Sequence, residues 1–178
     1  MKAVSILCCS VLSILLVGVV MAADTATQTV QLNVDDICVI DVTGDPGALT
    51  IGAPAVGGQT PPDATDNSTY AQYTSVVCGA ATRALTANWG AGDAAPSGCE
   101  LALEVTSLTA GCGSAVVGGI TVSGTAQNIV GGIGSCATGT GAADGAQLSY
   151  TLSVTDNSQL DSCDDQTVTI TLTLTDAS

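Results

Sequence analysis

Gln166-Thr-Val-Thr-Ile-Thr-Leu-Thr-Leu-Thr175 decides the fold class. Val168, Ile170, Leu172 and Leu174 alternate with Thr167, Thr169, Thr171, Thr173 and Thr175. Successive side chains of a strand point to opposite faces, so this stretch reads as a strand with one apolar and one hydroxyl face. A helix would scatter the same residues around its circumference, and the β-branched Thr, Val and Ile disfavour it further. Such a strand needs a second sheet over its apolar face.

The same alternation recurs upstream. Residues 29–34 set Val30, Leu32 and Val34 against Thr29, Gln31 and Asn33. Residues 99–106 set Cys99, Leu101, Leu103 and Val105 against Glu100, Ala102, Glu104 and Thr106. Residues 147–154 set Leu148, Tyr150, Leu152 and Val154 against Gln147, Ser149, Thr151 and Ser153. Further strands are predicted over 37–42, 49–51, 70–78, 82–89, 116–122 and 126–130. Gly44-Asp-Pro-Gly47 reads as a turn, and Pro54, Gly57, Gly58, Pro61 and Pro62 mark residues 52–67 as loop. The stretches 88–98, 131–145 and 156–166 read as loops as well. Short strands, frequent turn signals and no helical periodicity indicate an all-β, two-sheet antiparallel sandwich, Ig-like or jelly-roll, stabilised by disulfides.

The 178 residues suffice for one domain. Residues 1–22 read as a secretory signal: Lys2, an uncharged run, then Val20-Met-Ala22 as the cleavage site. An uncleaved membrane anchor is the alternative, and the small residues directly after the run favour cleavage. A single domain over residues 23–178 and a secreted, extracellular or cell-surface location follow as expectations. Cleavage leaves Arg83 as the one basic side chain against sixteen Asp and Glu, a net charge of −15. Such a charge excludes nucleic acid and anionic lipid as electrostatic partners.

Cys38, Cys78, Cys99, Cys112, Cys136 and Cys163 remain after cleavage, an even count that reads as disulfides in an exported chain. Zinc is disfavoured, because the chain has no His and these cysteines form no C-x-x-C pair.

Several segments carry a resemblance. Asp66-Asn-Ser-Thr-Tyr-Ala-Gln-Tyr-Thr-Ser-Val-Val77, Thr82-Arg-Ala-Leu-Thr86, Ala126-Gln-Asn-Ile-Val-Gly-Gly-Ile-Gly-Ser135, Gln147-Leu-Ser-Tyr-Thr-Leu-Ser-Val154 and the final strand resemble short secreted bacterial β-proteins of no assigned activity. More loosely, the opening resembles spore-coat-U-like and other chaperone–usher pilin subunits. It has an alternating first strand, then Cys38, then Leu49-Thr-Ile-Gly52, then Val76-Val-Cys78. Where those subunits carry an aromatic before the glycine, Ile51 stands here. The resemblance implies a Cys38–Cys78 bridge. For the other four cysteines the expectation is Cys99–Cys112 and Cys136–Cys163.

No His means no Ser–His–Asp or Cys–His catalysis. Glu100 and Glu104 share a strand face about 13 Å apart, outside the roughly 5–9.5 Å that paired glycosidase carboxylates need. Asp161, Asp164 and Asp165 are close enough in sequence to share a calcium ion, as are Asp35 and Asp36, but no EF-hand spacing is present and solvated loop carboxylates are the simpler reading. Tyr70 or Tyr73 could stack on a sugar, although Tyr73 shares strand parity with Ser75 and Val77. Asn67-Ser-Thr69 is a formal glycosylation sequon.

No catalytic residue, cofactor or metal is therefore expected, and the chain reads as a non-enzyme. The expected role is a structural subunit of an extracellular filament or surface layer that self-associates into a homopolymer. Residues 23–34 form a candidate donor strand for a neighbouring subunit, with Val30, Leu32 and Val34 as the side chains that would fill its pockets. The competing readings are a first strand of the chain's own sandwich and, for function, a monomeric adhesin or carbohydrate-binding module.

Overall fold

The alternating stretches pair into ten antiparallel strands in a computed structural model that describes residues 26–162 and 165–177. The strands are β1 (Ile37–Val42), β2 (Ala64–Val76), β3 (Arg83–Trp89), β4 (Cys99–Leu108), β5 (Ser114–Ala115), β6 (Ile120–Thr121), β7 (Gln127–Ile133), β8 (Cys136–Ala137), β9 (Ala146–Val154) and β10 (Ile170–Asp176). Among the described residues the one helical element is a 3-10 turn, Asn157–Gln159. One sheet runs β1-β2-β9-β4-β6, with β8 also paired to β2; the other runs β10-β3-β7-β5. The all-β, two-sheet antiparallel architecture predicted from the alternation is present.

Two compact units are distinguished, residues 1–33 and 34–178. The second holds every strand among the described residues. Its core forms where the apolar faces of the two sheets meet: Leu101, Leu103, Val105, Leu148 and Tyr150 from one, Leu85, Ala87, Ile129, Val130, Ile133 and Leu174 from the other. Parity assigns these faces correctly. Leu101, Leu103 and Val105 are buried while Glu100, Glu104 and Thr106 are exposed. On β10, Leu174 is buried and Thr171 and Thr173 are exposed.

Several strand expectations need correction: of residues 116–122 only Ile120–Thr121 is a strand, and the expected loop 131–145 holds the end of β7 and all of β8. Residues 29–34 lie in no strand, so they are not a first strand of a sandwich here; alternation supplies a face, but a strand also needs a paired edge. Residues 49–51 also lie in no strand, although Leu49 packs against the core. β2 starts at Ala64, inside the predicted loop, because Ala64, Thr65 and Asp66 pair with Leu152, Thr151 and Tyr150. A bulge between Asp66 and Thr69 then resets the register. Asp66 forms it locally, its Oδ1 accepting from Ser68 N at 2.9 Å and Ser68 Oγ at 2.7 Å. Finally, β10 begins only at Ile170. Thr169 instead donates its N–H to Asp93 Oδ2 at 2.9 Å, tying this approach to the loop after β3.

Gly98 and Gly145 show what the turns demand. Gly98 has φ +74°, and an added Cβ would run into the carbonyl of Asp156. That close approach lets Gly98 O accept from Thr155 N at 2.8 Å and Asp156 N at 3.0 Å, closing the β4–β9 end. Gly145, at φ +110°, comes equally close to the carbonyl of Ala71 as the chain enters β9.

Candidate functional site

Three features merit comparison with the expected sites: the N-terminal arm, the cysteines and a cleft at one end of the sandwich.

Val30, Leu32 and Val34 are 66%, 87% and 82% exposed. β1 follows with Ile37, Val39 and Val42 also exposed. Six of the nine large exposed apolar side chains among the described residues thus fall within residues 30–42. Scattered exposed apolar residues are ordinary, but a concentrated run marks a surface for association. β1 is also an edge strand, paired only to β2, so one row of its backbone groups is open.

The expected disulfides are not those formed. Cys112 bonds Cys136, with Cα atoms 5.5 Å apart. That overturns Cys99–Cys112 and Cys136–Cys163. Cys99 opens β4 and Cys112 lies past its far end, so the extended strand separates them by about 30 Å. Cys163 and Asp164 lie outside the described residues. Cys38 and Cys78 are both exposed thiols, contrary to the expected bridge. In the β1–β2 register Cys38 faces Ser75, three residues short of Cys78. That offset is about 10 Å along the strand, beyond the roughly 4.4–6.8 Å that a disulfide spans between Cα atoms. Cys38 Sγ instead donates to Leu174 O at 3.3 Å, linking the edges β1 and β10.

The bridge that does form is set in a hydrogen-bonded cluster. Tyr73 Oη donates to Cys112 O at 2.6 Å, Tyr73 N donates to Thr138 Oγ1 at 2.9 Å, and Thr109 Oγ1 donates to Thr138 O at 3.2 Å. Burial pushes the Tyr73 phenol up to about 12. Tyr73 therefore belongs to the core and cannot stack on a sugar; Tyr70 is half-buried.

Arg83 was not singled out by its sequence context, and its burial is a tertiary fact. It is 3% exposed. Nη1 donates to Ile37 O at 2.8 Å, Ser75 Oγ at 3.1 Å and Val76 O at 3.2 Å. Nη2 pairs with Asp36, and Nε pairs with Asp176 at 3.2 Å. The hydrogen bond that Arg83 donates to the Asp36 carboxylate raises the guanidinium pKa. One planar cation thus fastens β1, β2, β3 and the end of β10. The available signal was its being the one basic residue in a chain stretch rich in carboxylates.

The cleft, about 570 Å³, opens between the sheets. Leu49, Ile51, Leu101, Tyr150, Leu152 and Ile170 are among its lining. Asp161 and Asp165 lie in its lining, which contains no Lys or Arg. Tyr150 is 5% exposed, and burial pushes its phenol up to about 12. Among the described residues the buried side-chain oxygen without a hydrogen-bond partner is Thr69 Oγ1. Of the weak calcium candidates Asp161, Asp164 and Asp165, Asp164 lies outside the described residues; among the described residues no three His, Cys, Asp or Glu side chains are grouped to hold a metal ion. Glu100 and Glu104 point outward from β4 as solvated groups. Asn67 is exposed on the β2 bulge, while Thr69 of the same sequon is buried.

No family model, no curated protein and no solved structure matches this chain.

Proposed function

We propose that the chain is a structural subunit of an extracellular filament or surface layer, and that copies join through residues 29–34. The observation that carries this is the exposed alternation of Val30, Leu32 and Val34 outside any strand. An extended segment of this kind adds to an open sheet edge through main-chain hydrogen bonds, with alternate side chains filling pockets. Electrostatics favours the same segment. Residues 25–34 carry no charge in a chain of sixteen carboxylates, so two acidic copies meet there with little repulsion. Such a contact is head-to-tail and propagates. The alternative of a monomeric glycan-binding module is less well supported, since Tyr73 and Tyr150 are buried and Trp89 packs partly against the core.

Deletion of residues 23–33 tests the reading. The expected product is a folded monomer that no longer polymerises and accepts the excised peptide in trans. An unfolded product that the peptide cannot rescue, with an intact chain that stays monomeric at high concentration, would refute it.

A further inference from the structure

We propose that Asn67 carries an N-linked glycan in the exported protein. Asn67-Ser-Thr69 is the one Asn-x-Ser/Thr triplet in the chain, and such a triplet is the acceptor for that modification. The fold presents it at the surface. The β2–β9 register shifts between Asp66, opposite Tyr150, and Thr69, opposite Leu148, so Asn67 and Ser68 stand outside the ladder as a bulge. Both residues are exposed. The bulge is held by the Asn67 carbonyl, which accepts from Gln147 Nε2 at 3.0 Å, and by Asp66 Oδ1, which accepts from Ser68 N and Oγ. Neither contact uses the Asn67 side-chain amide.

Thr69 supplies an independent observation. It is 2% exposed, and its Oγ1 is the buried side-chain oxygen without a partner among the described residues. The other buried polar side chains are all engaged: Ser75 Oγ accepts from Arg83, and Thr138 Oγ1 accepts from Tyr73 N. A buried hydroxyl without a partner loses its hydration with no replacement, whereas valine has the same branched shape and no such cost. The folded chain has no use for this oxygen. Glycan transfer has one, because the hydroxyl two residues past the asparagine is the part of the triplet that the transferase recognises. Transfer joins the Asn67 amide nitrogen to the anomeric carbon of a sugar, expels the lipid-linked pyrophosphate that carried it, and releases one proton. Thr69 is accessible to a transferase only before β2 closes on β9, so the modification precedes the folding of this strand. β1 pairs with Ala71–Val76 of β2, so a glycan at Asn67 leaves that pairing untouched.

The inference rests on export, the reading of residues 1–22 as a secretory signal, and one measurement separates the two. Intact-mass and fragment-ion mass spectrometry of the unaltered protein from its own host is expected to show a chain starting at Ala23 with a glycan mass on Asn67. A chain starting at Ala23 with a bare Asn67 would overturn this inference alone. A chain still carrying residues 1–22 with a bare Asn67 would overturn both. Asn67→Gln is expected to lose the glycan mass, and Thr69→Ser to keep it. Thr69→Val is expected to lose it and to unfold at higher urea than Asn67→Gln, which is equally free of glycan. A Thr69→Val protein that keeps the glycan, or that unfolds at lower urea than Asn67→Gln, would show that the hydroxyl serves the fold and would refute the argument. The mass of the unaltered protein decides the matter even where a variant misfolds.

Discussion

Replacing Val30, Leu32 and Val34 together by serine separates an arm that serves a neighbour from one that serves its own fold. Fully burying a Val or Leu side chain contributes about 1.5–3 kcal/mol. These three are 66%, 87% and 82% exposed, so most of that value is unspent in the single chain. The unspent part is together about 3.5–7 kcal/mol if a second copy covers them. Docking and ordering an extended arm offset a large share of it. If half survives, association weakens by about 2–3.5 kcal/mol, some thirty- to three-hundredfold in Kd. Unfolding of the monomer should change by no more than about 0.5 kcal/mol, as for other exposed substitutions. Sedimentation velocity over a concentration series reads the first quantity, and urea denaturation of dilute protein reads the second. A loss of monomer stability above about 1 kcal/mol, with unchanged association, would show that the side chains pack at home and that the reasoning fails.

Three further outcomes are expected. Cys112→Ser with Cys136→Ser removes a bridge between residues 24 apart in sequence, and urea unfolding should show a loss of about 2–4 kcal/mol; the double variant Cys38→Ser with Cys78→Ser should lose far less, since those thiols are unbridged. Leu103→Ala, at a position with no exposed surface opposite Tyr150 and Ile120, should cost about 2–5 kcal/mol, measured in the same way. Tyr73 and Tyr150 have folded pKa values raised from 10.0 to about 12. The folded state favours the neutral phenols, so their contribution is fully present below pH 10 and is lost as pH rises from about 10 to about 12. Phenolate absorbance should appear together with loss of β-structure in that window, and early ionisation of both rings without unfolding would contradict their burial.

Particular elements show how much could be read from residues alone. β9, and β4 as far as Thr106, were legible face by face, because both alternate there and the period of two assigns each side chain to a face; past Val105 a register shift in β4 breaks the pattern. β2 was legible only in its second half. Its first residues are polar and follow Pro61 and Pro62, and only the ladder with β9 makes them a strand. The arm showed the reverse: its alternation is as clean as that of β9, yet it lies in no strand, because alternation is local and pairing is not.

The cysteines mark the same boundary. Composition established an even set of thiols, but a bridge depends on which loops are neighbours in space. A ten-residue strand between Cys99 and Cys112 outweighs their closeness in sequence. The cleft is likewise a tertiary product: Leu49, Leu101, Tyr150 and Ile170 come from four separate parts of the chain and meet only in the folded structure. By itself the sequence determined the all-β class, the buried and exposed face of each regular strand, the acidic charge and the absence of histidine chemistry. All of these follow from side-chain identity and a period of two. Tertiary structure decided the strand order, the Cys112–Cys136 bridge, the burial of Arg83 and the gathering of the cleft's lining, because each depends on distances between residues far apart in the chain.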